Sequence, residues 1–199
     1  MNAVSVVATG HANVRSLLNA LDRLGAAATL TTGAETVRNA DKLILPGVGA
    51  FGAVMKRLDF LGLVQPLRER IRAGRPLLGI CLGQQLLLTS SEESPGVPGL
   101  GAIPGTVKRL QVTEKVPHMG WNEVVPAGND PVIGTSTFYA YFVHSYATWP
   151  REEKDVAAWC EYGGTRFPAA LRRGETLALQ FHPERSGEAG LALLGRFLS

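Results

Sequence analysis

Cysteine is scarce in this sequence: Cys81 and Cys160 are the only two in 199 residues. They form no C-x-x-C pair, so neither a disulfide framework nor a thiolate zinc site is suggested. No cofactor or metal is expected. Charge is also modest, at 19% of residues with a formal net charge of +3. The basic residues are scattered, and their densest group is Arg68, Arg70, Arg72 and Arg75. That group lies on a candidate helix with Leu63, Leu67 and Ile71 on the opposing face, which reads as a solvated helix surface rather than a nucleic-acid patch. No apolar run reaches the length of a membrane span, and residues 1–8 lack the basic lead and long apolar core of a secretory signal. A reducing cytoplasm, with no membrane or nucleic-acid partner, is the expected setting. Hydrophobic residues make up 45% of the chain, enough for one sizeable core and too few disordered stretches for a linker, so residues 1–199 are expected to form a single domain.

What is present is an alternation. Apolar runs at 4–8, 27–31 and 42–45 read as strands. Between and after them, Val14, Leu17, Leu18, Leu21 and Leu24 share one face of a helix starting at Asn13, and helical periodicity returns at 53–58 and 62–73. Strands alternating with helices imply an α/β fold with a parallel sheet covered on both faces. After Ser90 the texture turns to Gly, Pro and Ser, then to short strand-like pieces at 105–112, 122–125, 138–143, 155–162, 169–172 and 176–181. Residues 187–198 close the chain as a helix, with Leu191, Leu194 and Leu198 on one face.

The strand reading of Pro76-Leu77-Leu78 runs directly into Gly79-Ile80-Cys81-Leu82-Gly83-Gln84-Gln85. A cysteine between two glycines at a strand-to-helix turn has the spacing of a nucleophile elbow, in which small neighbours allow a strained turn that lifts the reactive atom off the sheet. The following helix N-terminus places partial positive charge beside a thiolate. A buried structural cysteine is the alternative, but it gains nothing from flanking glycines, each of which weakens regular structure by roughly 0.5–1 kcal/mol. Far downstream, Gln180-Phe181-His182-Pro183-Glu184 supplies a base and an acid. Cysteine, histidine and carboxylate are the parts of covalent acyl transfer.

A second glycine motif competes. Gly47-Val48-Gly49-Ala50-Phe51-Gly52 satisfies the dinucleotide-binding G-x-G-x-x-G. It follows what reads as the third strand rather than the first, and no acid ends the next strand. The loop suits another task. Acyl transfer builds charge on a carbonyl oxygen, and backbone N–H groups of Val48, Gly49 and Leu82 are candidates to receive it.

Taken together, Pro46-Gly47-Val48-Gly49, the Cys81 elbow and His182-Pro183-Glu184 resemble the class I (triad) glutamine amidotransferases. Pro117-His118-Met119-Gly120-Trp121-Asn122 and Phe142-Val143-His144-Ser145-Tyr146 narrow the likeness to the glutaminase subunits of imidazole glycerol phosphate synthase. The resemblance implies the flavodoxin-like amidotransferase fold, with a central mostly parallel sheet and additional antiparallel strands in the second half. It implies Cys81, His182 and Glu184 as the catalytic triad, and Gly49, Gln85, Glu93, Ser145 and Tyr146 as the glutamine site. It also implies a (β/α)8 cyclase as heterodimer partner, met through residues matching Asn13, Met119, Trp121, Asn122, Tyr141 and Arg185. For Met119, Trp121 and Tyr141 core packing is the competing reading. A peptide flip in the Val48–Gly49 turn, coupled to the partner, is implied as the activity switch. One segment departs from the family pattern: Asp-Tyr-Gly-x-Gly-Asn is replaced by Ala8-Thr9-Gly10-His11-Ala12-Asn13. A glutaminase serving another synthase, or an inactive binding module of the same fold, stays open at this point.

Overall fold

The structure is a computed structural model that describes residues 3–10 and 14–199. The first half builds β1 (Ala3–Val7), α1 (Arg15–Arg23), β2 (Ala27–Thr31), α2 (Ala34–Asn39), β3 (Leu43–Gly47), α3 (Phe51–Phe60), α4 (Val64–Arg72), β4 (Leu77–Cys81) and α5 (Leu82–Leu86). The second half adds β5 (Ser90–Ser91), β6 (Gly105–Arg109), β7 (His118–Pro126), β8 (Phe138–His144), β9 (Tyr146–Pro150), β10 (Val156–Tyr162), β11 (Thr165–Arg173), β12 (Thr176–Leu179) and α6 (Gly187–Leu198).

Nine strands form one sheet in the order β2-β1-β3-β4-β12-β11-β10-β7-β8. Its first five neighbours run parallel, as the strand–helix alternation implies, and β12 joins β4 in parallel register with Leu177 opposite Leu78. From β11 onward the pairs are antiparallel, so the second half extends the same sheet. A smaller sheet, β5-β6-β9, stands beside it. One face of the large sheet buries Leu17 and Leu21 of α1 with Leu194 and Phe197 of α6. The other buries Phe51, Val54 and Leu58 of α3, Leu67 of α4 and Leu86 of α5. Strands β3 and β4 are buried at every position because helices cover both faces.

Several boundaries differ from the sequence reading. Helix α1 ends at Arg23, leaving Leu24 at the C-cap and 36% exposed; Asn13, the expected start, lies outside the described residues. Residues 11–13, half of the atypical 8–13 segment, lie there too. Strand β3 continues through Pro46 to Gly47, past its expected end. Proline is tolerated because β1 pairs with β3 only at Leu43 and Ile44, so no neighbour on that side asks Pro46 for an N–H. Helix α2 and strand β9 were not anticipated. The former buries only Val37, and the latter is broken from β8 by Ser145 alone.

The arginine cluster requires a larger correction. Arg70 is 1% exposed rather than solvated. Its guanidinium donates to the carbonyls of Val37, Arg38 and Ala40 through Nη1, of Asp41 and Pro76 through Nη2, and of Pro76 again through Nε. Burial, assisted by Arg75, lowers its pKa to about 10, which leaves it charged at neutral pH. The planar five-donor fork satisfies the carbonyls ending α2 and preceding β4, a task lysine cannot perform.

Candidate active site

Cys81 ends β4 and caps α5 with φ 56° and ψ −112°, the one non-glycine residue at positive φ among those described. L-residues avoid this region, so the turn is strained and held by its surroundings. Glycine makes it possible. A Cβ on Gly83 would lie 1.9 Å from the Leu45 carbonyl oxygen, and one on Gly79 would meet Leu87 at 2.6 Å and Gly83 at 2.9 Å. Both glycines are required by backbone approach, which lets α5 descend onto β3 directly behind the thiol.

His182 follows β12, the strand paired with β4, and so arrives beside Cys81. Its Nδ1–H donates to Glu184 Oε1 at 2.7 Å, while its Nε2 is buried with no hydrogen-bond partner. Burial disfavours the imidazolium, but Cys81 and Glu184 outweigh it and push the His182 pKa up to about 10. At neutral pH the ring is therefore protonated and able to give a proton away. The turn carrying it is tied to β8: His182 N–H donates to the Tyr141 carbonyl at 2.9 Å, Ser186 Oγ donates to the His182 carbonyl at 2.6 Å, and Tyr141 N–H donates to Ser186 Oγ at 3.0 Å.

A cavity of about 440 Å³ opens over the thiol. Cys81 and His182 line it together with Val48, Gly49, Leu82, Gln85, Glu93, Ser145 and Tyr146, so every expected oxyanion and glutamine residue meets in one place. Gly49 has φ +101°, a conformation that fixes the direction of the turn's N–H groups and that side chains rarely adopt. Gln85 is buried, not a solvent-facing helix residue; its Nε2 donates to the Tyr146 carbonyl at 3.1 Å and to Gln180 Oε1 at 3.2 Å. Glu93 accepts the Phe51 N–H at 2.7 Å, and Ser94 Oγ accepts that of Gly52 at 3.0 Å. These bonds occupy the N-terminus of α3, where a pyrophosphate would have to sit, and the dinucleotide reading of G-x-G-x-x-G falls with them.

Four further residues line the cavity without having been singled out for it: Arg109, Pro117, Val143 and His144. Gln180 belongs with them, since its amide approaches Cys81 Sγ at 4.0 Å. A glutamine ending an apolar run two residues before the histidine was the available signal, and the structure buries it fully. Arg109 carried none, because β6 and β9 come together only in the tertiary fold, with Arg109 opposite Tyr146.

Next to this site lies an exposed aromatic patch. Met119 and Trp121 are 62% and 56% exposed, which removes core packing as their role. Across the β7–β8 ladder Trp121 faces Tyr141, and the Arg185 guanidinium sits 4.4 Å from the Tyr141 ring centroid. Tyr139, 60% exposed, belongs to the same face and was not anticipated. Asn122 does not. As the neighbour of Trp121 on a strand it faces the other way, and its amide donates to the Glu161 carbonyl at 2.9 Å.

Comparison with known proteins agrees with this geometry. The glutamine amidotransferase class-I family matches residues 6–198. The imidazole glycerol phosphate synthase subunit HisH of Methanothermobacter thermautotrophicus is 45% identical over 98% of this chain and 97% of its own length. That of Idiomarina loihiensis is 47% identical over 100% of this chain and 97% of its own. The chloroplastic synthase hisHF of Arabidopsis thaliana is 45% identical over 99% of this chain, which spans 34% of that longer protein. Among solved structures, a glutamine amidotransferase superposes with TM-score 0.78 at 26% identity, covering 98% of this chain and 97% of its own. With a family match and identities of this extent over nearly its whole length, the chain belongs to the class-I glutamine amidotransferases, among the HisH subunits of imidazole glycerol phosphate synthase.

Proposed function

We propose that residues 1–199 act as one glutaminase domain that hydrolyses glutamine and passes the ammonia to a cyclase partner. The observation that carries this reading is a cysteine strained to positive φ at the floor of a cavity lined also by the carboxylate-bound His182. Cys81 Sγ attacks the carbon of the side-chain amide, and the carbonyl oxygen becomes an oxyanion facing the Leu82 N–H and the Val48–Gly49 turn. His182 gives its proton to the nitrogen, the C–N bond breaks and ammonia leaves. A glutamyl thioester remains on Cys81. Water, losing a proton to His182, then attacks the thioester carbon; the C–S bond breaks and glutamate departs. Glu184 holds the imidazole so that Nε2 serves both transfers.

The rest of the cavity reads as recognition of the amino-acid end. Glu93 is the carboxylate among its lining residues and suits the α-ammonium. Arg109 is the one permanently charged cation there, and its guanidinium makes no ion pair or hydrogen bond among the described residues. It suits the α-carboxylate, since guanidinium pairs with carboxylate through two parallel N–H donors. Arg109→Gln is expected to raise the KM for glutamine by roughly tenfold with kcat little changed, and to leave side-chain hydrolysis of glutaminamide, which has a neutral carboxamide in place of the α-carboxylate, unaffected. Equal losses with both substrates would remove Arg109 from recognition.

Relatives in which the synthase is a single hisHF chain place this domain beside a second one, and two such proteins span this chain at 44% and 45% identity. That supports a cyclase subunit as the partner here, with Met119, Trp121, Tyr141 and Arg185 as its docking patch; Tyr139 extends that patch, and Asn13 is carried from the family pattern alone. In that role the ammonia reacts with the partner's phosphoribulosyl-formimino-aminoimidazole carboxamide ribonucleotide, giving imidazole glycerol phosphate for histidine synthesis and the aminoimidazole carboxamide ribotide. The test is glutamate release by the purified chain alone, with a cyclase subunit, and with subunit plus nucleotide. Stimulation in the third condition supports the assignment; equal activity in all three detaches the chain from that partner. Gly49→Val should lose partner-stimulated activity by about 10²–10³-fold while still forming the complex, because a β-branched residue cannot hold the turn that aims the N–H groups. Retained stimulation in that variant would dismiss the turn as the switch.

A further inference from the structure

Two histidines in the motifs that narrowed the family likeness take no part in the proposed chemistry. His118 and His144 are both buried, on adjacent strands β7 and β8, where they stand opposite each other in the ladder. His118 Nδ1 lies 3.0 Å from His144 Nε2, His144 Nδ1 lies 2.8 Å from the Tyr146 carbonyl, and Asn122 Nδ2 lies 3.3 Å from His118 Nε2. The protons follow by elimination. A carbonyl only accepts, so His144 carries its proton on Nδ1; a neutral His144 then offers Nε2 as acceptor, His118 must donate from Nδ1, and its Nε2 is left to accept the Asn122 amide. Every donor therefore points one way, from Asn122 toward Tyr146.

The chain ends at the glutamine cavity. The Tyr146 carbonyl also receives Gln85 Nε2, which bonds Gln180, whose amide approaches Cys81 Sγ. His144, Tyr146 and Gln85 all line the cavity. We propose that His118 and His144 are positioning residues that, as a one-way chain of two neutral imidazoles in the Nδ1–H form, fix the Tyr146 carbonyl and hence Gln85 at the substrate cavity. Burial supports their neutrality, lowering the pKa of His118 to about 4 and that of His144 to about 3. Its outer end, Asn122, is anchored in turn by donating to the Glu161 carbonyl at 2.9 Å.

The kinetic half of the test rests on the glutaminase reading; the spectroscopic half does not. In imidazole nitrogen–proton correlation spectra of the chain at pH 7, both rings are expected as neutral Nδ1–H tautomers. A charged ring or an Nε2–H tautomer at either position overturns the proposal, whether or not the chain turns over glutamine. Two variants then separate positioning from packing. His118→Phe keeps a ring stacked between Phe142 and Tyr162, whose centroids lie 4.8 Å and 4.0 Å from that of His118, but removes the donor. His118→Asn keeps an amide N–H near the Nδ1 position but loses the ring. With the cyclase subunit present, KM for glutamine should rise roughly five- to tenfold in the phenylalanine variant and stay near the parent value in the asparagine variant. Melting temperature should rank them the other way. If KM follows melting temperature instead, the pair serves packing alone and the proposal fails.

Discussion

Cys81→Ala should abolish glutamate release, by about 10⁴-fold or more, in the chain alone and in its complex with the partner. Loss of one triad member removes the covalent route entirely, since the remaining groups have no nucleophile to activate. The fold should survive, because the substitution deletes only Sγ from a residue facing a cavity, and its contacts at 3.9 Å to the Val143 carbonyl and 4.0 Å from Gln180 are long ones. Two readouts check this: glutamate produced per chain, and the mass of the iodoacetamide adduct, which should disappear with Cys81 because Cys160 is buried and its thiol is pushed by that burial up to about 12. Residual activity within tenfold of the parent would reassign the nucleophile.

Gly83→Ala is expected to be the most damaging single methyl group near the site. The added carbon would fall 1.9 Å from the Leu45 carbonyl oxygen, less than the separation any packed pair of atoms allows. Neither partner is a flexible side chain. Helix α5 would have to retreat from β3, and both elements are buried at every residue. A cost of about 3 kcal/mol is at the upper end for overpacking, and for a chain of this size it corresponds to a fall of roughly 6–12 °C in Tm. The retreat also unseats Cys81, so kcat should drop even at temperatures where the variant stays folded. Thermal unfolding followed by circular dichroism, with glutamate release at a low temperature, measures both. A variant with parental Tm would mean that the elbow is looser than its backbone contacts indicate.

The parts of the site legible in the sequence were those with local signatures. Glycines flanking Cys81 announce a strained turn, and His182 with Glu184 sit two residues apart, so their bond is nearly a property of the chain itself. The alternation of strands and helices in the first half was legible for the same reason, since periodicity is a local quantity. Arg70 was not. On its helix it repeats at the spacing of Arg68 and Arg72, and only the convergence of the α2 C-terminus and the β4 entry turns it inward. Arg109 and the His118–His144 pair were hidden likewise, because strand partners this far apart in the chain leave no trace in composition. Asn122 shows the limit of carrying a motif over as a block: neighbours on a strand face opposite sides, and only alternate members of Met119-Gly120-Trp121-Asn122 share the exposed patch.

The Glu93 carboxylate belongs to two structures at once, the wall of the cavity and the first turn of α3, where it accepts the Phe51 N–H. Only Ala50 separates that amide from Gly49. A ligand ammonium drawn to Glu93 therefore competes with, or polarises, the bond that pins the far end of the glycine turn. Linkage makes the relation mutual: whatever stabilises one arrangement of the turn changes the affinity for the amino acid by the same factor that the amino acid changes the population of that arrangement. On the proposed reading of the site, substrate occupancy would thereby weigh on the turn's conformation through a single carboxylate.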